Sequence, residues 1–183
     1  MYNVAIIGAG PAGIFSALEI VKLKPDWKVV LIEKGERIED RKCLLREGYA
    51  KCPSCKKCGL LCGWGGAGAF SDGKLTLTPD VGGNLVDYMS RKDVEDLIDY
   101  ADNLYLKFGA TKEVFGTDPK IFHEIERKAA LAELKLVHSP VRHLGTERSL
   151  DVLKNMQDYL SENITILNNV SAKSLVVECE QVK

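Results

Sequence analysis

Residues 4–13 read VAIIGAGPAG and carry three glycines in the spacing G-x-G-x-x-G. The apolar run Val4–Ile7 predicts a strand, and the amphipathic stretch after Gly13 predicts a helix. In that context Gly8 permits the tight turn, Gly10 lets the backbone approach a pyrophosphate, and Gly13 lets the helix pack closely on the strand. The N–H groups at the start of the helix would point at the phosphates, so the stretch predicts a dinucleotide-binding turn.

A second apolar run, Val29–Ile32, ends in Glu33. An acid at this distance from the glycines is placed to accept hydrogen bonds from an adenosine ribose. It would repel the extra phosphate of NADP, a repulsion that Lys34 weakens, and the fingerprint alone does not separate FAD from NAD. The cofactor-binding residues predicted from this β-α-β unit are Gly8, Gly10, Pro11, Ala12, Gly13, Glu33 and Lys34.

A second glycine-rich stretch, GWGGAGAFSDGKL at residues 63–75, favours FAD. Its N–H groups could form an anion-binding nest, and a cofactor held by two separate glycine loops is an extended one. The alternative is a flexible surface loop, which Trp64 and Phe70 disfavour because exposed aromatic side chains are unfavourable. The residues predicted to line the FAD are Gly66, Ala67, Gly68, Ser71, Asp72, Gly73 and Lys74.

Five of the six cysteines lie between residues 43 and 62, and four of them follow the spacing C-x2-C-x2-C-x3-C. This spacing carries iron–sulfur clusters in bacterial ferredoxins and predicts an oxygen-sensitive cluster near the flavin. Zinc, a thiol–disulfide relay to the flavin and thiols that only pack are the alternatives. The predicted ligands are Cys52, Cys55, Cys58 and Cys62, with Cys43 or Cys179 as a remote ligand.

Composition and charge exclude several classes of function. The 183 residues include 25 Lys and Arg against 26 Asp and Glu, so no net basic field exists to attract nucleic acid or an anionic membrane. No apolar run approaches the roughly 20 residues of a membrane span. The N-terminus lacks the features of a signal peptide, and we expect a cytoplasmic protein that binds neither nucleic acid nor membrane.

The remaining periodicity predicts an α/β chain with an incomplete sheet. Only the first two strands clearly belong to the nucleotide-binding sheet, and a parallel sheet normally needs more. We divide the chain into residues 1–90, a Rossmann-like FAD-binding part with a Cys/Gly-rich loop, and residues 91–183, a helical insertion and the start of a substrate domain. Further helices are predicted at 36–48, 91–108, 118–134 and 149–161, and further strands at 135–138, 164–167 and 174–177.

The segment RHLGT at residues 142–146 supplies the candidates for catalysis. Arg142 could clamp a carboxylate or phosphate, and His143 could donate a proton near neutral pH. Thr146 is a plausible N-cap of the next helix, which is the structural alternative for this segment.

Together, GAGPAG at 8–13, EKG at 33–35, CGWGGAGAFSDGKL at 62–75 and RHLGT at 142–146 resemble the NAD(P)/FAD-dependent oxidoreductases described as FAD-dependent dehydrogenases. The resemblance runs across nearly the whole chain. It implies a glutathione-reductase-like FAD fold, FAD as cofactor, NAD(P)H as a co-substrate and a small-molecule substrate or electron donor or acceptor. By analogy with that fold, the backbone around Val170 meets the adenine end.

Members of this family are typically more than twice as long as this chain. Two alternatives to a complete FAD-dependent oxidoreductase therefore stay open. One is a truncated or split half that needs a partner chain, and the other is an NAD-binding dehydrogenase domain.

Overall fold

A computed structural model describes residues 1–178 and 181–182 of the chain. Contacts divide the chain into two compact units, Met1–Ala69 with Leu153–Lys183, and Phe70–Val152. The earlier division at residue 90 stays a prediction. None of the described helices is both long and apolar enough to cross a membrane.

The chain folds as a mixed α/β structure. Its strands are β1 (Val4–Ile7), β2 (Val29–Ile32), β3 (Lys74–Thr76), β4 (Val141–His143), β5 (Thr165–Leu167), β6 (Val177–Glu178) and β7 (Gln181–Val182). Its α-helices are α1 (Pro11–Leu23), α2 (Arg91–Lys107), α3 (Pro119–Leu131) and α4 (Gly145–Asn163). Short 3-10 helices span Ile38–Asp40, Gly66–Phe70 and Leu85–Asp87.

The first unit contains a parallel sheet in the order β1-β2-β5. Ile6 lies opposite Leu31, and Leu31 lies opposite Ile166. Besides the two strands assigned to this sheet from the sequence, β5 joins it by pairing with β2. Strands β6 and β7 form a separate antiparallel pair.

Helix α1 packs on β1 through Gly13 and through the apolar face of the helix. A β-carbon added at Gly13 would lie 2.0 Å from the carbonyl oxygen of Gly8, so only glycine fits there. Ile14, Ala17 and Leu18 are buried on the same helix. The order β1-α1-β2 with parallel strands agrees with the prediction, and the glycine turn begins at the carboxyl end of β1.

The second unit combines the antiparallel pair β3-β4 with helices α2 and α3. Both predicted helices are confirmed. Ser90 caps α2 by accepting a hydrogen bond from the N–H of Asp93, and Asp118 caps α3 through the N–H groups of Lys120 and Ile121.

Four short elements differ from their predictions. The strand expected at 135–138 is absent, and the chain is extended as a strand only at Val141–His143, where β3 provides a partner. Helix α4 begins at Gly145 rather than residue 149, and the charged stretch 36–48 holds only the 3-10 helix Ile38–Asp40. The strand at 174–177 is reduced to β6.

Two of the three glycines of the turn, Gly13 and Gly10, provide a test of this packing. We expect Gly13→Ala to lower the free energy of unfolding by about 2 kcal/mol or more, because its β-carbon would overlap the Gly8 carbonyl. Gly10→Ala is the matched control, since a β-carbon there meets no atom within 4 Å. Chemical denaturation of the ligand-free chain measures both changes. Equal stabilities for the two variants would contradict the packing role of Gly13.

Candidate functional site

The glycine turn presents open backbone at the N-terminus of α1. Gly8 has a φ of +96°, and its N–H donates to the carbonyl oxygen of Ile32 at 2.8 Å. A β-carbon added at Gly8 or Gly10 would meet no atom within 4 Å. No side chain caps α1 and no acid lies in its first turn. This space fits the phosphates of a dinucleotide, and a β-carbon would fill it.

The Glu33 carboxylate lies behind this turn and holds three stretches of backbone. Oε2 accepts from the N–H of Ala9 at 2.7 Å. Oε1 accepts from the N–H groups of Gly35 at 2.8 Å and Gly63 at 3.0 Å. Glu33 is only 5% exposed. The carboxylate has about four acceptor positions, and these three N–H groups occupy three of them.

The chain after β5 runs beside Glu33. The N–H of Val170 donates to the carbonyl oxygen of Glu33 at 3.0 Å, and the N–H of Asn169 donates to Gly35 at 2.9 Å. The structure therefore brings Val170 beside Glu33, while Lys34 is exposed. The contact of Val170 with adenine stays a prediction.

The Gly63–Gly66 segment packs against the glycine turn. The N–H of Gly65 donates to the carbonyl oxygen of Ala9 at 2.8 Å. A β-carbon on Gly66 would come within 3.3 Å of the Cα of Gly10. Residues from the two glycine motifs are thus neighbours in the first unit. Ala67 and Gly68 follow on the exposed surface.

Trp64 anchors this segment inside the first unit. Its side chain is fully buried, and its Nε1–H donates to the carbonyl oxygen of Leu153 at 2.8 Å. A buried indole needs such a partner for its N–H. The surface-loop alternative for the glycine-rich stretch 63–75 is therefore wrong at Trp64.

The buried Arg41 side chain binds the backbone of the same loop. No sequence pattern identified this residue as part of the site. Its guanidinium donates to the carbonyl oxygens of Gly59 (3.1 Å), Leu60 (2.9 Å), Trp64 (2.6 Å) and Gly66 (2.8 Å). Burial lowers the pKa of Arg41, and the Glu33 carboxylate and the Cys62 and Cys58 thiols act in the opposite direction. Nothing in the charged run 36–48 distinguishes this arginine from its exposed neighbours.

In the second unit, the SDGK and RHLGT segments meet as paired strands. Lys74 lies opposite His143, and the N–H of Leu144 donates to the carbonyl oxygen of Gly73 at 2.8 Å. Gly73 has a φ of +64°, a backbone conformation that favours glycine. The Thr146 hydroxyl donates to the carbonyl oxygen of Ser71 at 3.3 Å. Because α4 begins at Gly145, Thr146 lies inside the helix and is not its N-cap.

Three charged or titratable residues around this strand pair are exposed, namely Asp72, Lys74 and His143. Lys74 donates to Asp72 at 2.7 Å, and this hydrogen bond lowers the pKa of the Asp72 carboxyl. His143 is exposed, with its ring edge-to-face to Phe115 at a centroid distance of 6.5 Å. The assignment of Ser71, Asp72, Gly73 and Lys74 to the cofactor stays a prediction, as does a catalytic role for His143.

Arg142 forms a buried ion pair. Its Nε and Nη2 donate to the two carboxylate oxygens of Asp102, each at 2.6 Å, and its Nη1 donates to the carbonyl oxygen of Thr111 at 2.5 Å. The bond to Asp102 raises the pKa of Arg142. These contacts join α2 to β4 and indicate a structural role for Arg142. The prediction that Arg142 binds a substrate therefore rests on the sequence alone.

The cysteines do not fit a metal cluster in the described part of the chain. Cys52 and Cys55 are exposed, whereas Cys43, Cys58 and Cys62 are half-buried. Among the described residues, no three His, Cys, Asp or Glu side chains are grouped so that they could hold a metal ion. The remote candidate Cys179 lies outside the described residues. We therefore derive no chemistry through an iron–sulfur cluster or zinc.

Comparison with known proteins shows a likeness of fold. No protein-family model matches the chain. An uncharacterized protein of Clostridium beijerinckii is 38% identical over 71 residues, which are 39% of this chain and 13% of that protein. L-amino acid deaminase from Proteus vulgaris has a TM-score of 0.50 at 11% identity, over 100% of this chain and 43% of the deaminase.

Two further solved structures have TM-scores below 0.5 and carry no argument. The Proteus vulgaris deaminase with its specific insertion deleted has a TM-score of 0.48 at 11% identity, over 100% of this chain and 48% of that one. The deaminase from Proteus myxofaciens in complex with anthranilate has a TM-score of 0.40 at 11% identity, over 99% and 41%. The chain spans less than half of each deaminase, and at this identity the likeness shows the fold alone.

A conservative substitution tests the position of the Glu33 carboxylate. We expect Glu33→Gln to lower the free energy of unfolding by about 1–3 kcal/mol without any ligand, because an amide nitrogen would face a backbone donor in a buried site. Denaturant unfolding measures the change, and the exposed Glu47→Gln serves as the control. A Glu33→Gln protein as stable as the control would mean that the carboxylate does not hold the backbone.

Proposed function

We propose that this chain binds FAD and forms the cofactor-binding part of an FAD-dependent oxidoreductase. The observation that carries the proposal is the open backbone at Gly8 and Gly10, at an N-terminus of α1 that no side chain caps. A helix N-terminus favours negative charge through its unpaired N–H groups and its dipole. The diphosphate is the part of FAD that this position suits.

The neighbouring residues support a binding mode in which the diphosphate of FAD lies at the glycine turn. The free acceptor position of Glu33 would take a ribose hydroxyl, and Val170 beside it would lie toward the adenine. Gly66 lies next to Gly10 and would extend the phosphate-binding surface. Bound FAD would supply electron- and hydride-transfer chemistry, while the protein would position it.

The likeness to the Proteus vulgaris deaminase supports the fold that this proposal requires. The deamination of L-amino acids named for that protein is not transferred to this chain. The substrate, NAD(P)H as a co-substrate and a partner chain that completes the sheet are further parts of the proposal. Free cysteines are typical of a reducing compartment. The proposal therefore includes a cytoplasmic location.

Gly10→Val tests the FAD site. The valine side chain would occupy the open space at the turn, and the diphosphate would lose at least two charge-assisted hydrogen bonds of about 1.5 kcal/mol each. We expect FAD affinity to fall about 100-fold or more, measured by titration of the apo-protein with FAD and by flavin absorbance after gel filtration.

Gly83→Val is the matched control, because a β-carbon at Gly83 also meets no atom within 4 Å but lies far from the motif in sequence. Wild-type affinity in a folded Gly10→Val protein would refute the site. Binding of NAD with no binding of FAD would favour the NAD-dehydrogenase alternative.

A further inference from the structure

Two of the thiols share one cavity in the first unit. The N–H of Cys62 donates to the carbonyl oxygen of Cys58 at 2.8 Å, so the two residues stand one helical turn apart. Both are half-buried and line a cavity of about 210 Å³. The other lining residues are Gly35, Glu36, Asp40, Lys42, Lys57 and Gly59.

Three cations surround this thiol pair. Lys42 and Lys57 line the cavity, and the Arg41 guanidinium lies close enough to interact electrostatically with both thiols. Reactive cysteines occur in partly exposed sites beside cations. The carboxylates of Glu36 and Asp40 line the same cavity, and that of Glu36 accepts a hydrogen bond from Asn169 at 2.6 Å.

Arg41 connects the thiol pair to the glycine turn. On one side its guanidinium holds the carbonyl oxygens of Gly59 and Leu60, which follow Cys58. On the other side it holds those of Trp64 and Gly66, which flank Gly65. Since the N–H of Gly65 binds the carbonyl oxygen of Ala9, a displacement of the cysteine turn would be transmitted to the backbone between Gly8 and Gly10.

We propose that Cys58 and Cys62 form a thiol–disulfide exchange site whose reactivity is linked to occupancy of the dinucleotide turn. The thiolate of one cysteine attacks a sulfur of a low-molecular-weight disulfide. The new S–S bond joins the protein to one half of that molecule, and the other half leaves as a thiolate, so electrons balance without another oxidant.

The linkage works in both directions. A group added inside the cavity would push the cysteine turn away from the Arg41 guanidinium and loosen the glycine turn. By thermodynamic reciprocity, a ligand that holds the glycine turn disfavours the modified state by the same coupling free energy. Because modification requires the cysteine turn to move, the ligand is also expected to slow it. The exchange site is inferred from the cavity that Cys58 and Cys62 line. The linkage rests in addition on the proposed FAD site.

Oxidised glutathione provides the probe. The 183-residue chain is incubated with it, with and without saturating FAD, and the modified fraction at each cysteine is followed by peptide mass spectrometry. We expect FAD to slow modification of Cys58 and Cys62 about fivefold or more. This factor is the lower end of the usual coupling between two binding sites. The exposed thiols Cys52 and Cys55 are internal controls whose rates should not change.

Arg41→Lys tests the connection itself. One ammonium group cannot donate to four carbonyl oxygens, so we expect the FAD protection of Cys58 and Cys62 to be lost. Arg37→Lys is the control, because the Arg37 side chain is half-exposed and pairs with Glu39. The wild-type comparison with and without FAD remains decisive if Arg41→Lys does not fold.

The outcomes separate the two proposals. If FAD binds but all four thiols keep their rates, the linkage is wrong and the FAD site stands. If neither Cys58 nor Cys62 forms a mixed disulfide, the exchange site is wrong. If FAD does not bind, the proposed function and the linkage both fall, and the exchange site is judged from the ligand-free rates alone.

Discussion

The structure of the first unit depends on two buried charges that bind backbone groups of several segments. The Glu33 carboxylate accepts N–H groups from the glycine turn, from the end of β2 and from the Cys/Gly-rich loop. The Arg41 guanidinium, 6% exposed, donates to carbonyl oxygens of that same loop. Burial of either charge is costly unless hydrogen bonds compensate it. These bonds order a long loop that lacks the apolar periodicity of a helix or strand.

Glycines of the unit serve two different physical purposes, and those at the uncapped N-terminus of α1 indicate the candidate site. Gly13 and Gly35 are needed where backbone meets backbone, since a β-carbon on Gly35 would lie 2.3 Å from the nitrogen of Gly63. Gly8 and Gly10 border empty space. Glycine at a crowded position is explained by packing alone. Glycine beside open space, at an uncapped helix N-terminus, is explained by a ligand that approaches the backbone there.

The local elements could be predicted from the sequence, and the long-range contacts could not. The turn at residues 8–13 and the capped helices α2 and α3 carry their signals in neighbouring residues. The return of β5 to β2 joins residues more than 130 positions apart, and three-residue strands such as β3 and β4 are too short for periodicity to reveal their partner. Glu33 was identified as a site residue, but its bonds to Gly63 and Ala9 depend on a loop whose path no local rule gives. Arg41 was missed for the same reason.

Amide hydrogen exchange, followed by NMR on the ligand-free chain, tests the central role of the Glu33 carboxylate most directly. The amides of Ala9, Gly35 and Gly63 donate to that carboxylate from three separate segments. Our account predicts that all three exchange slowly, with opening free energies close to that of global unfolding of the unit. It also predicts that they lose this protection together in Glu33→Gln. Exchange of the Ala9 and Gly63 amides as fast as that of the exposed residues 52–56 would contradict it.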